Sequence, residues 1–318
     1  MNESSICKVL DRRIQEEDLQ CVVHSVFNNS FNVLDHENKL ITYLNSNGTM
    51  APNSIKIGQI ISFNNLGIKP KMKIIVSQRF TIIEDLNIIL IHDEVKIWDG
   101  SPNLNFNKEN KEKVKAKLYK TGEILSKKGN KEGIFPIIKA LDKRILGIDV
   151  LLKDEIIMGK EEEFIEDRFI KFIDSYIYNN IDNISQKAKD IVGFGIGLTP
   201  SMDDFLSGMM ISRVYSYYYL DYPMEKAYGF NNAIVSKIKD KTTRISQEML
   251  IYSSRGEVND YIRELMVSFL GNASLDYFYS NIDKVMRIGE TSGTDILLGI
   301  YVGSCILLKE ILGGGFND

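Results

Sequence analysis

The order of hydrophobic and polar residues divides the chain into a first part with short apolar runs and a second part with longer, helical periods. In the first part, runs rich in Val, Ile and Phe are separated by Asn, Gly, Asp or Pro. This punctuation is typical of strands joined by tight turns. The pattern predicts strands at Cys21–Phe27, Phe31–Leu34, Leu40–Leu44, Ile55–Phe63, Lys73–Val76, Phe80–Ile83, Ile88–Ile91 and Val95–Trp98.

The pattern changes after Asp99-Gly-Ser-Pro102, where apolar residues begin to recur with a helical period. Short strands with tight connections favour an antiparallel barrel or sandwich over parallel βαβ units. We therefore predict an α+β protein with a β-rich domain over 1–105 and a mostly helical domain over 106–318. The expected helices are Glu109–Lys128, Ile134–Leu146, Glu161–Tyr178, Ser201–Leu220, Asn231–Lys239, Thr243–Ser254, Asn259–Leu270, Leu275–Met286 and Thr294–Leu312.

Composition and charge narrow the class of protein. The 318 residues are 44% apolar and 26% charged with a formal net charge of −4, which indicates a globular protein without a basic surface for nucleic acid. Cys7, Cys21 and Cys305 are widely spaced, which favours reduced thiols and a cytoplasmic location. The N-terminus lacks a signal-like apolar segment. The longest apolar run, Ile296–Leu308, is shorter than the roughly 20 residues of a membrane span and predicts a buried helix.

A glycine-rich loop followed by a helix is the most informative local feature. Gly193, Gly195 and Gly197 alternate with apolar residues, so the backbone can turn sharply and approach a ligand closely. Thr199 is a suitable N-cap, and Pro200 suits the first helical position. The sequence therefore predicts that a helix begins directly after the loop.

The N-terminus of that helix is a candidate anion site. The N–H groups of Ser201, Met202 and Asp203 are expected to point toward the loop, where the helix dipole favours a phosphate or carboxylate. A glycine loop of this kind also occurs as a simple tight connection, so the motif alone leaves both interpretations open.

A second segment, Gly289-Glu-Thr-Ser-Gly-Thr-Asp-Ile-Leu-Leu-Gly299, repeats the first. In each copy a serine lies in the first helical turn with an aspartate three residues later on the same face. A glycine four residues beyond leaves that face bare, so two such helices can cross closely. We expect their N-termini to converge on one pocket. The alignment pairs Ser201 with Ser292, Asp204 with Asp295, Phe205 with Ile296 and Gly208 with Gly299.

An arginine at the start of another helix is a further candidate. Thr242-Thr-Arg-Ile-Ser246 opens that helix with hydroxyl groups and Arg244. A guanidinium group matches the geometry of a carboxylate or a phosphate. The alternative is an N-cap followed by a surface arginine, and the residues alone do not separate the two.

These three segments resemble the signatures of the AllH-type family. The matching strings are Gly-Ile-Gly-Leu-Thr-Pro-Ser-Met-Asp-Asp-Phe-Leu-Ser-Gly, Thr-Thr-Arg-Ile-Ser and Gly-Glu-Thr-Ser-Gly-Thr-Asp-Ile-Leu-Leu-Gly, in the family's order. The resemblance covers about 193–303 well and the β-rich part in outline. The family usually has glycine in place of Met202 and often His-Ser in place of Glu290-Thr291, differences that could indicate another ligand.

The resemblance implies a subunit of an assembly that moves a carbamoyl group between oxalurate and phosphate, giving oxamate and carbamoyl phosphate, in purine (allantoin) catabolism. It leaves open whether this chain is itself catalytic. Helix N-termini, backbone N–H groups and an arginine suit such small anions and stabilise a developing oxyanion. In this hypothesis the phosphate or carbamoyl phosphate is held by Gly195, Gly197, Thr199 and Ser201, the second side is closed by Thr291, Ser292 and Gly293, and the carboxylate is held by Arg244.

Asp203, Asp204 and Asp295 require a separate explanation, because a carboxylate beside an anion is unfavourable unless its charge is offset. One explanation is Mg²⁺, which commonly uses one or two carboxylates together with a substrate phosphate. The other is a structural role that fixes the shape of the pocket, which we favour. Two alternative functions follow: a non-catalytic metabolite-binding or scaffolding subunit, and a metal-dependent hydrolase built on the three aspartates.

Overall fold

The computed structural model describes residues 3–141 and 158–309. The chain forms two compact units. The first unit extends to Ser101 and includes Val258–Asp260, and the second unit begins at Pro102 and contains the rest of the chain. All of the candidate site residues named above belong to the second unit.

The first unit is a curled mixed sheet with one helix. Within the described residues the sheet has nine strands in the order β8-β7-β6-β2-β3-β4-β5-β1-β9. The helix α1 spans Lys8–Glu16 and buries Leu10 and Ile14. The strands are β1 (Ser5–Cys7), β2 (Leu19–Val26), β3 (Ser30–Asp35), β4 (Leu40–Leu44), β5 (Ser54–Lys56), β6 (Lys73–Val76), β7 (Phe80–Ile83), β8 (Ile88–Ile91) and β9 (Lys96–Trp98).

The sheet is antiparallel except at two pairs. β4 pairs with β5 and β1 pairs with β9 in parallel, and the other neighbours are antiparallel. Alternate residues of a strand face the same side of the sheet. On the buried side, aromatic rings pack against one another. Phe31 stacks on Tyr43 with ring centroids 4.4 Å apart, and Phe63 meets Phe31 edge-on. The predicted β-rich first part followed by a mostly helical part is confirmed.

The second unit is mostly helical. Its helices are α2 (Lys111–Lys128), α3 (Lys160–Ile177), α4 (Ile181–Lys189), α5 (Ser201–Tyr219), α6 (Met224–Val235), α7 (Arg244–Ser254), α8 (Asp260–Leu270), α9 (Leu275–Met286) and α10 (Ser292–Leu307), with a 3₁₀ turn at Phe135–Ala140. The remainder of the helix predicted at Ile134–Leu146, and the end of the one predicted to Leu312, lie outside the described residues.

Helices α5 and α10 form the centre of this unit. Nearly every residue of α5 is buried, including Asp203, Asp204 and Arg213. The apolar run Ile296–Leu308 lies almost entirely in α10 and is buried, which confirms its interpretation as a core helix. Among the described residues, no helix is long and apolar enough to cross a membrane.

Candidate functional site

Helices α5 and α10 cross at the two glycines that the internal repeat aligns. A Cβ atom placed on Gly208 would lie 2.1 Å from the carbonyl oxygen of Ile296. A Cβ atom placed on Gly299 would lie 2.0 Å from the carbonyl oxygen of Phe205. These two contacts are equivalent under the alignment, so the helices are related by a local pseudo-twofold axis. The predicted close crossing is confirmed.

The aspartate of each helix lies next to the serine at the start of the other helix. Asp204 of α5 lies near the hydroxyl of Ser292 at the start of α10. Asp295 of α10 lies near the hydroxyl of Ser201 at the start of α5. The hydroxyl groups of Thr199 and Ser292 are 3.2 Å apart, so the two N-termini meet. The structure thus brings both motifs into one cluster.

Asp203 fixes the glycine loop to the start of α7. Its carboxylate accepts a hydrogen bond of 2.7 Å from the backbone N–H of Gly193 and one of 2.5 Å from the hydroxyl of Ser246. The hydroxyl of Thr242 donates to the same carboxylate. Three donors on one buried carboxylate favour a structural role for Asp203, as the sequence analysis preferred for the aspartates.

The loop itself requires glycine. Gly193, Gly195 and Gly197 have φ values of 81°, 109° and 99°, in the region that other residues rarely adopt. Gly195 also packs against the backbone N of Ser201, which a Cβ atom would approach to 2.6 Å. Ile196, between two of these glycines, is 91% exposed. The loop therefore folds back over the start of α5 and presents an apolar side chain to solvent.

The start of α5 differs from the prediction in two respects. Pro200 occupies the cap position, and the hydroxyl of Thr199 donates to Asp204 over 3.1 Å and makes no cap bond. The N–H of Met202 donates to the carbonyl of Phe194, and that of Asp203 donates to the carbonyl of Pro200. These two N–H groups are therefore not free for an anion, because the loop folds closely onto the helix end.

Arg244 is the first residue of α7, next to the cap residue Thr243. Thr243 accepts from the N–H of Ser246 and donates to the carbonyl of Leu198, so α7 begins beside the glycine loop. The guanidinium group of Arg244 donates to Gln247 over 2.9 Å and forms an ion pair with Glu248. A role for Arg244 as a carboxylate ligand stays a prediction, and a ligand would compete with Glu248 for it.

The remaining candidates lie at the start of α10. Thr291 and Ser292 are half-buried, and Gly293 is buried. A Cβ atom on Gly293 would lie 2.1 Å from the carbonyl of Val285, so this glycine allows α10 to pack against α9. Helix packing therefore accounts for a glycine at position 293. The hydroxyls of Thr291 and Ser292 lie near the cluster.

Burial shifts the protonation of the two paired aspartates. Burial is the largest influence on Asp204 and raises its pKa well above the ordinary value, and the nearby charge of Asp295 raises it further. Burial also raises the pKa of Asp295 to about 6, against the opposing effect of the Ile134 N–H, which donates to it over 3.0 Å. One oxygen of each carboxyl group is buried without a hydrogen-bond partner. Both environments shift the carboxyl group toward the neutral acid, although Asp295, with a pKa of about 6, is still mostly ionised at pH 7.

The described residues offer few ligands for a metal ion. Over residues 3–141 and 158–309, no three His, Cys, Asp or Glu side chains are grouped as metal ligands. Asp203 is engaged by the loop and by α7, which leaves Asp204 and Asp295, each with one buried carboxyl oxygen that has no hydrogen-bond partner. Mg²⁺ commonly binds one or two carboxylates together with a substrate phosphate. The described residues contain no larger group of metal ligands, and the Mg²⁺ explanation stays a prediction.

Sequence reasoning missed the segment that covers Asp295. A Cβ atom on Gly133 would lie 2.6 Å from one carboxyl oxygen of Asp295 and 2.9 Å from the hydroxyl of Ser201. The N–H of Asn130 donates to the hydroxyl of Thr294. The segment lies more than one hundred residues from α10 along the chain, so no local pattern could reveal the contact.

Two family models match the two parts of the chain. The family described as "Oxamate carbamoyltransferase subunit AllH" matches residues 191–304, which include the glycine loop, α5, α7 and most of α10. The family described as "AllH family N-terminal domain" matches residues 2–97, which include the sheet. No solved structure shows a significant match to the chain. The two matches lie in the order of the two parts of the fold, and the chain belongs to the AllH family.

Proposed function

We propose that this chain is a subunit of a carbamoyl-transferring enzyme related to oxamate carbamoyltransferase, and that it binds a small anionic substrate at the joint N-termini of α5 and α10. Phosphate, carbamoyl phosphate and oxamate are the candidate ligands. The family membership supports the first half of the proposal. The contact of 3.2 Å between the hydroxyls of Thr199 and Ser292 carries the second half, since it joins both motifs in one cluster.

The chemistry of the cluster suits an anion with polar oxygens. Thr199 and Ser292 are half-buried, and their hydroxyls can hydrogen-bond a ligand in place of their present partners. Two helix N-termini add partial positive charge at the same place. Asp204 lies directly behind these hydroxyls, and burial favours its neutral form. A neutral carboxyl group does not repel an anion, which removes the difficulty at Asp204, the aspartate nearest these hydroxyls.

Titration calorimetry of the full chain with phosphate, carbamoyl phosphate and oxamate, each with and without Mg²⁺, tests the proposal. We expect carbamoyl phosphate to bind without a requirement for Mg²⁺, and Ser292→Ala to weaken the binding at least about tenfold, the effect of removing a charge-assisted hydrogen bond. Ser304→Ala is the matched control, because Ser304 lies deeper in α10 and bonds Ser212. Arg244→Ala tests the predicted carboxylate ligand with oxamate. Absence of binding by all three ligands would contradict the proposed site.

A second candidate function is a subunit that lends a ligand pocket to a catalytic partner. The exposed loop tip favours this function, because Ile196 is 91% exposed and Leu198 is 45% exposed beside the cluster. A cavity of about 390 Å³ next to the loop is lined partly by Phe164, which is also exposed. Carbamoyl transfer by the purified chain alone would support the enzyme. If the chain alone binds carbamoyl phosphate but transfer occurs only when partner subunits are added, the result would support a subunit that provides a ligand pocket to a catalytic partner.

A further inference from the structure

The two halves of the pseudo-twofold arrangement differ in their access to solvent. The pair of Ser201 and Asp295 is closed: Ser201 is 4% exposed and Asp295 is fully buried, with Gly133 packed over both. In the other half Asp204 is equally buried, but Ser292 and Thr199 are half-buried. Equivalent residues are therefore fully enclosed in one half and partly exposed in the other.

The open half contains a continuous path of oxygen atoms. The hydroxyl of Thr199 donates to Oδ2 of Asp204 over 3.1 Å and lies 3.2 Å from the hydroxyl of Ser292. The second oxygen of Asp204, Oδ1, is buried and has no hydrogen-bond partner. An unpartnered oxygen on a buried side chain is costly and calls for an explanation, and a role in chemistry or ligand binding is one such explanation. The path runs from this buried carboxyl group to two half-buried residues, Thr199 and Ser292.

The charges around Asp204 favour a stored proton. The ionisable groups that act on it are Asp295 on α10 and Asp203 on its own helix, and both oppose a negative charge on Asp204. The hydroxyls of Ser292 and Thr199 act in the opposite direction and are outweighed by burial. Asp204 therefore holds a proton in the resting protein more readily than an exposed aspartate.

Carbamoyl transfer requires such a proton. When an oxygen of monohydrogen phosphate attacks the carbamoyl carbon, a C–O bond forms and the C–N bond to the amide nitrogen of oxamate breaks. The departing nitrogen must take up one proton, and the phosphate must lose one. General acid–base groups that move such protons typically contribute a factor of about 10²–10⁴ in rate.

We propose that Asp204, Thr199 and Ser292 form a proton relay for the transferred carbamoyl group, with Ser292 as the catalytic group at the surface and Asp204 as the buried proton store behind it. This inference rests on the proposed function. The hydroxyl of Ser292 gives its proton to the departing nitrogen and receives the proton of Asp204. The attacking phosphate then gives its proton to the oxygen of Ser292, which passes its own proton to Asp204, so atoms and charges balance. Thr199 positions the carboxyl group through its bond to Oδ2.

Proton uptake on ligand binding is the first test. Oxamate keeps its carboxylate ionised at neutral pH, so proton exchange during a titration comes from the protein. Calorimetry of the full chain with oxamate in buffers of different ionisation enthalpy should show proton uptake that increases with pH, because only the ionised fraction of Asp204 can take up a proton when an anion binds beside it. Asp204→Asn should abolish this uptake. Uptake that persists in Asp204→Asn would overturn the assignment of the proton to Asp204, whereas failure of the wild type to bind oxamate would contradict the proposed function.

Rates of carbamoyl transfer by the assembly of this chain with its partner subunits are the second test. Asp204→Asn should lower kcat about 10²–10⁴-fold, with a much smaller change in KM, and should remove one limb of the pH profile. Ser292→Ala lies at a half-exposed position, so it should fold, and it should lower kcat while proton uptake on oxamate binding persists. A pH profile of Asp204→Asn that matches the wild type would overturn the relay.

Discussion

The crossing of α5 and α10 allows a quantitative prediction, because it has no room for a single methyl group. In Gly208→Ala the new Cβ would lie 2.1 Å from the carbonyl oxygen of Ile296 and 2.8 Å from the backbone N of Ile300. Ordinary non-bonded contacts of carbon lie at roughly 3.5 Å or more. The helices would therefore have to separate by roughly 1.4 Å.

The size of the effect follows from two opposing contributions. Overpacking in a core typically costs about 1–3 kcal/mol, and the upper end applies because the obstructing atoms belong to the backbone of α10 and cannot rotate away. Alanine in place of glycine recovers about 1 kcal/mol of helix propensity. We expect Gly208→Ala to lower the free energy of unfolding by about 2 kcal/mol, or Tm by roughly 4–8 °C for a unit of this size.

Thermal unfolding, monitored by circular dichroism, measures this effect when Gly208→Ala is compared with a matched control variant. Gly229 lies at an exposed position of α6 with nothing within 4 Å of its Cβ position. Gly229→Ala should therefore raise the free energy of unfolding by up to about 1 kcal/mol. If Gly208→Ala unfolds at the same temperature as Gly229→Ala, the close crossing is wrong. The convergence of the two N-termini would then lose its geometric basis.

Two further predictions concern the buried aspartates. Asp203→Asn should lower stability by about 2 kcal/mol and speed hydrogen exchange of loop 193–199, because the donors on Thr242 and Ser246 lose a charged acceptor; unchanged exchange would refute the pinning role. The folded-state pKa of Asp295 is raised from 3.8 to about 6, so its contribution to stability is largest below pH 3.8 and is lost as pH rises to about 6. The loss amounts to about 3 kcal/mol and should shrink in Asp295→Asn, measured by denaturation at each pH.

The strands and most helices could be predicted because their signals are local. Alternation and turn residues gave β4, β6, β7 and β8 with the bounds that the structure has. The prediction of a strand at Ile55–Phe63 was wrong. Only Ser54–Lys56 pairs as β5, and the apolar residues after it lie in turns and pack into the core. The short strand β1 was missed, since its parallel pairing with β9 depends on residues about ninety positions away.

The helical part shows the same limit. The short helix α4 was missed, and α6 was placed at Asn231–Lys239 although it begins at Met224, directly after Pro223. That proline was an available signal, because proline commonly precedes or opens a helix.

The candidate site was predictable as far as the internal repeat extends. The repeat correctly paired Gly208 with Gly299, because a bare helix face has a direct packing consequence. It could not show that Asp203 and Asp204 differ, one engaged by α7 and the other by the start of α10. Nor could it show that Gly133 closes one half of the pseudo-twofold pair. Those differences arise from long-range contacts that adjacent residues do not encode.

The central claim is that the two motifs form one binding site, and a double-mutant cycle on carbamoyl phosphate binding tests it most directly. Calorimetry would compare the wild type with Thr199→Val, Ser292→Ala and the double variant. If both hydroxyls serve one ligand, the losses should be non-additive, with a coupling energy of about 0.5–3 kcal/mol. Losses that add within about 0.5 kcal/mol, or single variants that bind like the wild type, would contradict a shared site.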